Sequence, residues 1–202
     1  DHSPSLSVAR GLDPSRLEEQ LEEIARLNRR LDGIRILTGC EVDILRDGSL
    51  DLPDDILARL DVVVASVHTA MNLDEAEMTE RIVAAMRNPH VDIIGHPTGR
   101  ILGRREPYAV DIERIIAVAA ETGTCLEINA SPDRLDLKDV HARSARERGV
   151  MIVVNTDAHS TDGLDQMAYG VTVARRAWLG KADVLNCLSW PELKARLKDG
   201  RR

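Results

Sequence analysis

The chain has 202 residues, enough for one domain with a sizeable core, and its 43% hydrophobic and 30% charged residues are ordinary for a soluble globular protein. A net charge of −7 argues against a broad basic nucleic-acid face but leaves room for a local basic rim around an acidic pocket. Aromatic residues make up only 2% and Phe is absent, so Ile, Leu, Val and Ala must build the core.

In chain order, Asp1-His2-Ser3-Pro4 shows neither an initiator Met nor a leading structural element, and the chain is expected to be a piece of a longer protein. A helix is predicted from Asp13-Pro14 to about Asn28, with Asp13 as N-cap, Pro14 in the first turn, and Leu17, Leu21, Ile24 and Leu27 at helical spacing. Gly33 then breaks the chain before a strand predicted at 34–37. Helix and strand alternate from there. Helices are predicted near 53–60, 74–88, 109–122, 136–148 and 164–178, with a last one from Pro191 to about Lys198. Strands are predicted at 61–67, 91–95, 124–128 and 150–154. Continuously apolar strands separated by helices imply an α/β protein whose parallel sheet is covered on both faces.

Three cysteines, Cys40, Cys125 and Cys187, are far apart and form no CxxC pair, so neither a disulfide framework nor a zinc ribbon is implied. Cys40 and Cys125 read as small core residues. No signal peptide and no apolar run of membrane-spanning length occur, so a cytoplasmic protein without a membrane partner is expected.

Five apolar runs end in a residue suited to a metal or a polar substrate. They lead to Glu41, His68, His96, Asn129 and the pair Asp157 and His159. In a parallel sheet the C-terminal ends of all strands share one face, so these residues can meet in one pocket rich in imidazole and carboxylate, the chemistry of a hydrolytic metal site. Each has a plainer reading. A lone Asp-x-His is often a helix cap beside a surface His, Glu41 can be a loop carboxylate, and a strand-end His is more often a hydrogen-bonded loop residue. Their joint occurrence at equivalent strand ends favours the metal site. Asp43 is the weaker neighbour of Glu41. His90, before its strand, and His141, within a helix, read as structural or surface residues. After His96, the loop containing Arg100, Arg104 and Arg105 suits phosphate, since guanidinium forks grip phosphate oxygens. The plain alternative is a solvated loop. Arg134 and Asn129 add further candidate substrate contacts, and Asn129 can instead support a ligand. No nucleophile elbow, phosphate-binding glycine loop or dinucleotide fingerprint is present.

Together, Asp1-His2-Ser3, Gly39-Cys40-Glu41-Val42-Asp43, Ser66-Val67-His68, Gly95-His96-Pro97, Glu127-Ile128-Asn129-Ala130-Ser131 and Asn155-Thr156-Asp157-Ala158-His159-Ser160 resemble the PHP (polymerase and histidinol phosphatase) superfamily. The stretches 95–105 and 129–137, with Tyr169-Gly170 and Ala177-Trp178, resemble the C-terminal PHP domain of bacterial family X DNA polymerases. The resemblance covers essentially the whole chain, as one domain over residues 1–202. It implies a distorted TIM-like (β/α)7 barrel, here lacking its first strand, first helix, second strand and the His-x-His segment. It also implies up to three divalent ions in the intact domain, manganese or zinc. Glu41 would bridge two of them, His68 and His96 would join it on one, Asp157 would serve another, and His2 and His159 a third. Glu41, His68, Asp157 and His159 would then carry the catalysis. The implied activity is 3′-5′ exonuclease and 3′-end processing of DNA in base excision repair, with an upstream nucleotidyltransferase domain as partner and Arg100, Arg104 and Arg105 on DNA phosphates. Two rivals remain: a histidinol-phosphatase-like small-molecule phosphatase, and a non-catalytic module supporting a polymerase.

Overall fold

The computed structural model describes residues 1–5 and 11–197. Five strands form one parallel sheet in sequence order: β1 (Gly39–Asp43), β2 (Val62–Ser66), β3 (Ile93–Ile94), β4 (Cys125–Asn129) and β5 (Ile152–Asn155). Helices occupy the connections: α1 (Pro14–Asn28), α2 (Asp54–Leu57), α3 (Glu75–Met86), α4 (Ile112–Thr122), α5 (Asp139–Glu147), α6 (Met167–Arg176) and α7 (Trp190–Arg196). The starts of the longer ones are written locally. Asp13, Asp74 and Asp111 each accept the backbone N–H three residues on, which satisfies a donor that the first helical turn leaves free. Of the expected last helix, the end at Lys198 lies outside the described residues.

The stretch 34–37, expected as a strand, forms no regular element, and β1 lies further on. The reason is a side chain. Asn28, the last residue of α1, accepts from Ile36 N–H at 2.8 Å and donates to Ile36 C=O at 2.7 Å, so this backbone is satisfied without a neighbouring strand. Ile34 is left 66% exposed. Glu41 consequently sits within a strand rather than after one. The opening residues do form structure: Glu41 N–H donates to Asp1 C=O, Ser3 N–H donates to Glu41 C=O, and His2 makes a parallel bridge with Glu41.

Side-chain alternation gives the sheet two unlike faces. Val42, Val63, Ala65, Ile94, Leu126, Ile128, Ile152 and Val154 pack under the helices in the main core. On the opposite face, Ile93, Cys125 and Val153, with Val62 and Val64, are covered by Leu185, Leu188, Leu193 and Leu197 from the C-terminal segment. Glu41 is in register with Val64, Val64 with Ile93, Ile93 with Cys125, and Glu127 with Val153. This second face therefore changes along the strands, from an apolar end plugged by leucines to a polar end bearing Glu41, Ser66, Glu127, Asn129 and Asn155.

Arg81 of α3 ties the loops at that polar end. It is 3% exposed, and its guanidinium donates to the carbonyls of Ile44, Leu45 and Thr69, just past β1 and β2. Buried backbone acceptors there are satisfied by one fixed fork.

Gly170 sets how closely α6 approaches the sheet. A β-carbon there would lie 2.5 Å from Val154 Cγ1 and 2.7 Å from Ala130 Cβ. Alanine is the better helix former, yet Gly170→Ala is expected to lower stability by about 1–3 kcal/mol through overpacking. Urea denaturation reads this directly, and a variant as stable as the parent would show that α6 can move away freely.

Candidate metal centre

The polar end of the sheet gathers four side chains from four segments. Glu41 projects from β1. Its Oε1 lies 3.0 Å from His96 Nε2 and 3.3 Å from His68 Nε2, and its Oε2 lies 3.5 Å from His2 Nδ1. The His68 ring packs edge-on against His96, with centroids 5.1 Å apart, and against His2 at 5.2 Å. His159 stacks on His2 at 6.1 Å. Among the described residues, ligand atoms of His2, Glu41 and His68 lie within 4.8 Å of one another.

Local backbone directs these side chains. His68 and His96 each stand two residues past the end of their strand, β2 and β3. His96 has φ of 27°, in the left-handed region that residues with a β-carbon rarely adopt. Its N–H donates to Glu127 Oε2 at 2.6 Å, which holds the turn. Gly95 before it admits no β-carbon, because Ser66 Oγ would lie 2.4 Å away. Asp157 is also left-handed, at 56°. Its carboxylate accepts from Asn129 Nδ2 at 3.1 Å and lies 3.8 Å from both Arg134 Nε and His159 Nδ1. Asp43, the weaker candidate, accepts the His68 N–H at 3.0 Å and places its Oδ1 3.3 Å from His68 Nδ1.

The electrostatics follow from burial and proximity. Burial alone would raise the Glu41 pKa, but hydrogen bonding and charge from His68 and His96 outweigh it and hold the carboxyl well below the usual range. Burial alone would lower His68, but the Asp43 and Glu41 carboxylates push it up to about 9. His2 is lowered, mainly by burial. Burial pushes Glu127 up to about 7.

The donor set fits a divalent cation. His2 Nδ1, 3.5 Å from Glu41 Oε2, is buried without an aligned hydrogen-bond partner, beside the His68 and His96 Nε2 atoms that converge on Oε1. Orphaned imidazole nitrogens are costly unless a ligand completes them, and imidazole with carboxylate suits manganese or zinc.

The structure thus brings His2, Glu41, His68 and His96 together, with Asp157 and His159 alongside. The arginines are placed less simply. Arg100 Nε donates to Arg134 C=O at 2.9 Å, with a second bond to Leu135 C=O, and Arg105 Nε donates to Gly99 C=O at 2.9 Å. Arg100 thus ties its loop to the one after β4, and Arg105 braces its own loop, whereas Arg104 is exposed. Arg134 faces Asp157. Glu127 was not singled out from the sequence as a site residue. The available signal is an acid inside an apolar strand, two positions before Asn129 and therefore on the same face. His90 is buried at the other end of the sheet, and His141 lies within α5.

No family model matches the chain. It is 49% identical over 198 residues to the DNA polymerase/3′-5′ exonuclease PolX of Bacillus subtilis (strain 168), a match covering 98% of this chain and 35% of the relative. The chain therefore spans about a third of that protein's length. It is 36% identical over 186 residues to a probable phosphatase of Thermoanaerobacter sp. (strain X514), covering 87% of this chain and 73% of the relative. The solved histidinol phosphate phosphatase of Lactococcus lactis subsp. lactis, complexed with zinc, L-histidinol and phosphate, has a similar fold, with a TM-score of 0.57 at 19% identity over 81% of this chain and 75% of that one.

In the metal-free protein the raised His68 value makes its proton stabilising. That contribution is complete below pH 6.5 and is lost as the pH rises through about 9. Urea denaturation in a chelator is expected to show stability falling across this window by at most about 3 kcal/mol, with the fall removed by His68→Gln. An equal slope in the variant would show that another group carries it.

Proposed function

The chain belongs to the PHP superfamily, and from that premise we propose that its metal-dependent phosphoesterase centre trims DNA from the 3′ end, the activity named in the PolX relative. The observation that carries the phosphoesterase reading is the convergence of His68, His96 and His2 on the one carboxylate of Glu41. The extension to DNA is supported by similarity to PolX over 98% of the chain.

Glu41, His68, His96 and His2 would hold divalent ions, with Asp157 and His159 at the adjoining edge. Ions bound there supply Lewis acidity at phosphorus and acidify water. The protein's own residues do the rest. Glu41 stays ionised as the shared anion. Asp43 orients the His68 ring from its Nδ1 side, and Glu127 fixes the turn that aims His96. Asn129 and Arg134 hold the Asp157 carboxylate from the side opposite His159. Arg134 and the exposed Arg104 are the cations placed to meet phosphodiester oxygens, a contact that carries no sequence preference. Arg100 and Arg105 shape the loop around them. The substrate would be a DNA 3′ end presented by the nucleotidyltransferase part of a longer polymerase.

The test is manganese-dependent hydrolysis of a 3′-recessed, 5′-labelled duplex, run beside a small phosphomonoester. Stepwise shortening is expected, reduced at least about a hundredfold in Glu41→Gln and in His68→Ala, since even changes behind a metal ligand often cost 10- to 100-fold. Turnover of the monoester without any shortening would favour the small-molecule phosphatase reading, to which the 36% identical probable phosphatase lends support. Inactivity on both would leave the supporting-module reading.

A further inference from the structure

A cleft of about 440 Å³ opens between α6, the start of α5 and the loops that follow β3 and β4. This volume is within the range of pockets that bury a small organic ligand. One wall is a single stripe of α6: Tyr169, Val173 and Arg176 recur at helical spacing and all line the cleft. Arg100, Leu135 and Lys138 line the other wall. The cleft thus has an apolar floor from Leu135 and Val173, an aromatic ring at its rim, and cations along both sides.

Three features give it a particular occupant. Tyr169 is 52% exposed, so its ring is available to a ligand rather than committed to the core. Its position is also fixed, because the neighbouring Gly170 packs against Ala130 and Val154 with no room for a β-carbon. Second, the charge is local and positive. Arg100, Lys138 and Arg176 face one carboxylate, Asp139, which pairs with Arg176 Nε at 2.9 Å, in a chain whose net charge is −7. Third, one wall of the cleft is tied to the edge of the metal centre by a chain of contacts. Arg100 of the cleft donates to Arg134 C=O, and Arg134 Nε lies 3.8 Å from Asp157 Oδ2.

We propose that this cleft is a nucleoside subsite for a single nucleic-acid strand, in which a base stacks on Tyr169 while Lys138 and the outer edge of the Arg176 guanidinium meet the flanking phosphates. Stacking on an exposed aromatic ring within a cationic groove is the general solution for holding single strands without reading their sequence. A strand seated there runs toward Asp157 by way of Arg134, which brings a neighbouring phosphodiester to the metal centre. The subsite deepens the proposed nuclease reading, yet it binds through groups that need no metal, so the two can be tested apart.

The experiment measures binding of a fluorescein-labelled oligothymidylate to the protein by anisotropy in EDTA, where metal-assisted cleavage is absent. Tyr169→Ala is expected to weaken binding about tenfold or more, whereas Tyr169→Phe, which keeps the ring, binds like the parent. Lys138→Gln is expected to reduce the salt dependence, log K against log salt, by about 0.7. Both positions are exposed, and a thermal melt of each variant checks its fold. No binding by the parent protein, or equal binding by a folded Tyr169→Ala, overturns the subsite. Strand shortening by the parent protein in manganese is scored separately. Shortening with no effect of Tyr169→Ala leaves the nuclease and removes the subsite. Tyr169-dependent binding without shortening leaves the subsite and removes the nuclease.

Discussion

One carboxylate organises this molecule. Glu41 stands at the middle of a parallel strand and receives imidazoles from three separate segments, two of them on the same oxygen atom. Without a cation the arrangement is held by charge: an anion kept ionised despite burial and a His68 kept protonated well above its ordinary range. Such a cluster is expensive to bury unless something beyond the protein completes it, and the unpartnered His2 Nδ1 facing Glu41 is one place where that completion is needed. The surrounding fold can be understood as the means of holding these groups at one point.

That means is a division of labour along one face of the sheet. The apolar half, closed by leucines from the C-terminal segment, supplies burial that anchors the strands. The polar half then places chemistry at fixed heights, because side chains alternate at a fixed spacing along rigid strands. Behind the cluster, Arg81 clamps the chain past β1 and β2, and Glu127 holds the strained turn at His96. Removing either would leave the ligands present but misaimed, which is a different defect from removing a ligand.

Much of this was legible in the residues, for a physical reason. An apolar run followed by His or Asp reports both a strand and the direction in which it ends, so the positions of His68, His96 and Asp157 at the ends of their strands followed from local pattern. So did the Asp13 cap of α1, which needs only a few adjacent residues. What escaped depended on partners distant in sequence. The 34–37 segment has strand composition, yet Asn28 from the preceding helix occupies its backbone groups. Asp1–Ser3 is too short to announce itself as an element, and its pairing with Glu41 appears only once the chain has folded back. Arg100 and Arg105 look like free cations, but loop closure turns them inward onto carbonyls. Glu127 is hidden among apolar neighbours because burial of an acid is paid for by hydrogen bonds that a local window does not contain.

The convergence on Glu41 is a claim about where a cation binds, and diffraction from crystals grown with manganese tests it most directly. An anomalous difference map is expected to place a peak within coordination distance of a Glu41 oxygen, bounded by the His68 and His96 rings. A map with no peak there, and with those imidazoles still bonded to the carboxylates of Glu41 and Asp43, would contradict the metal centre and leave the cluster as a buried ion-pair network.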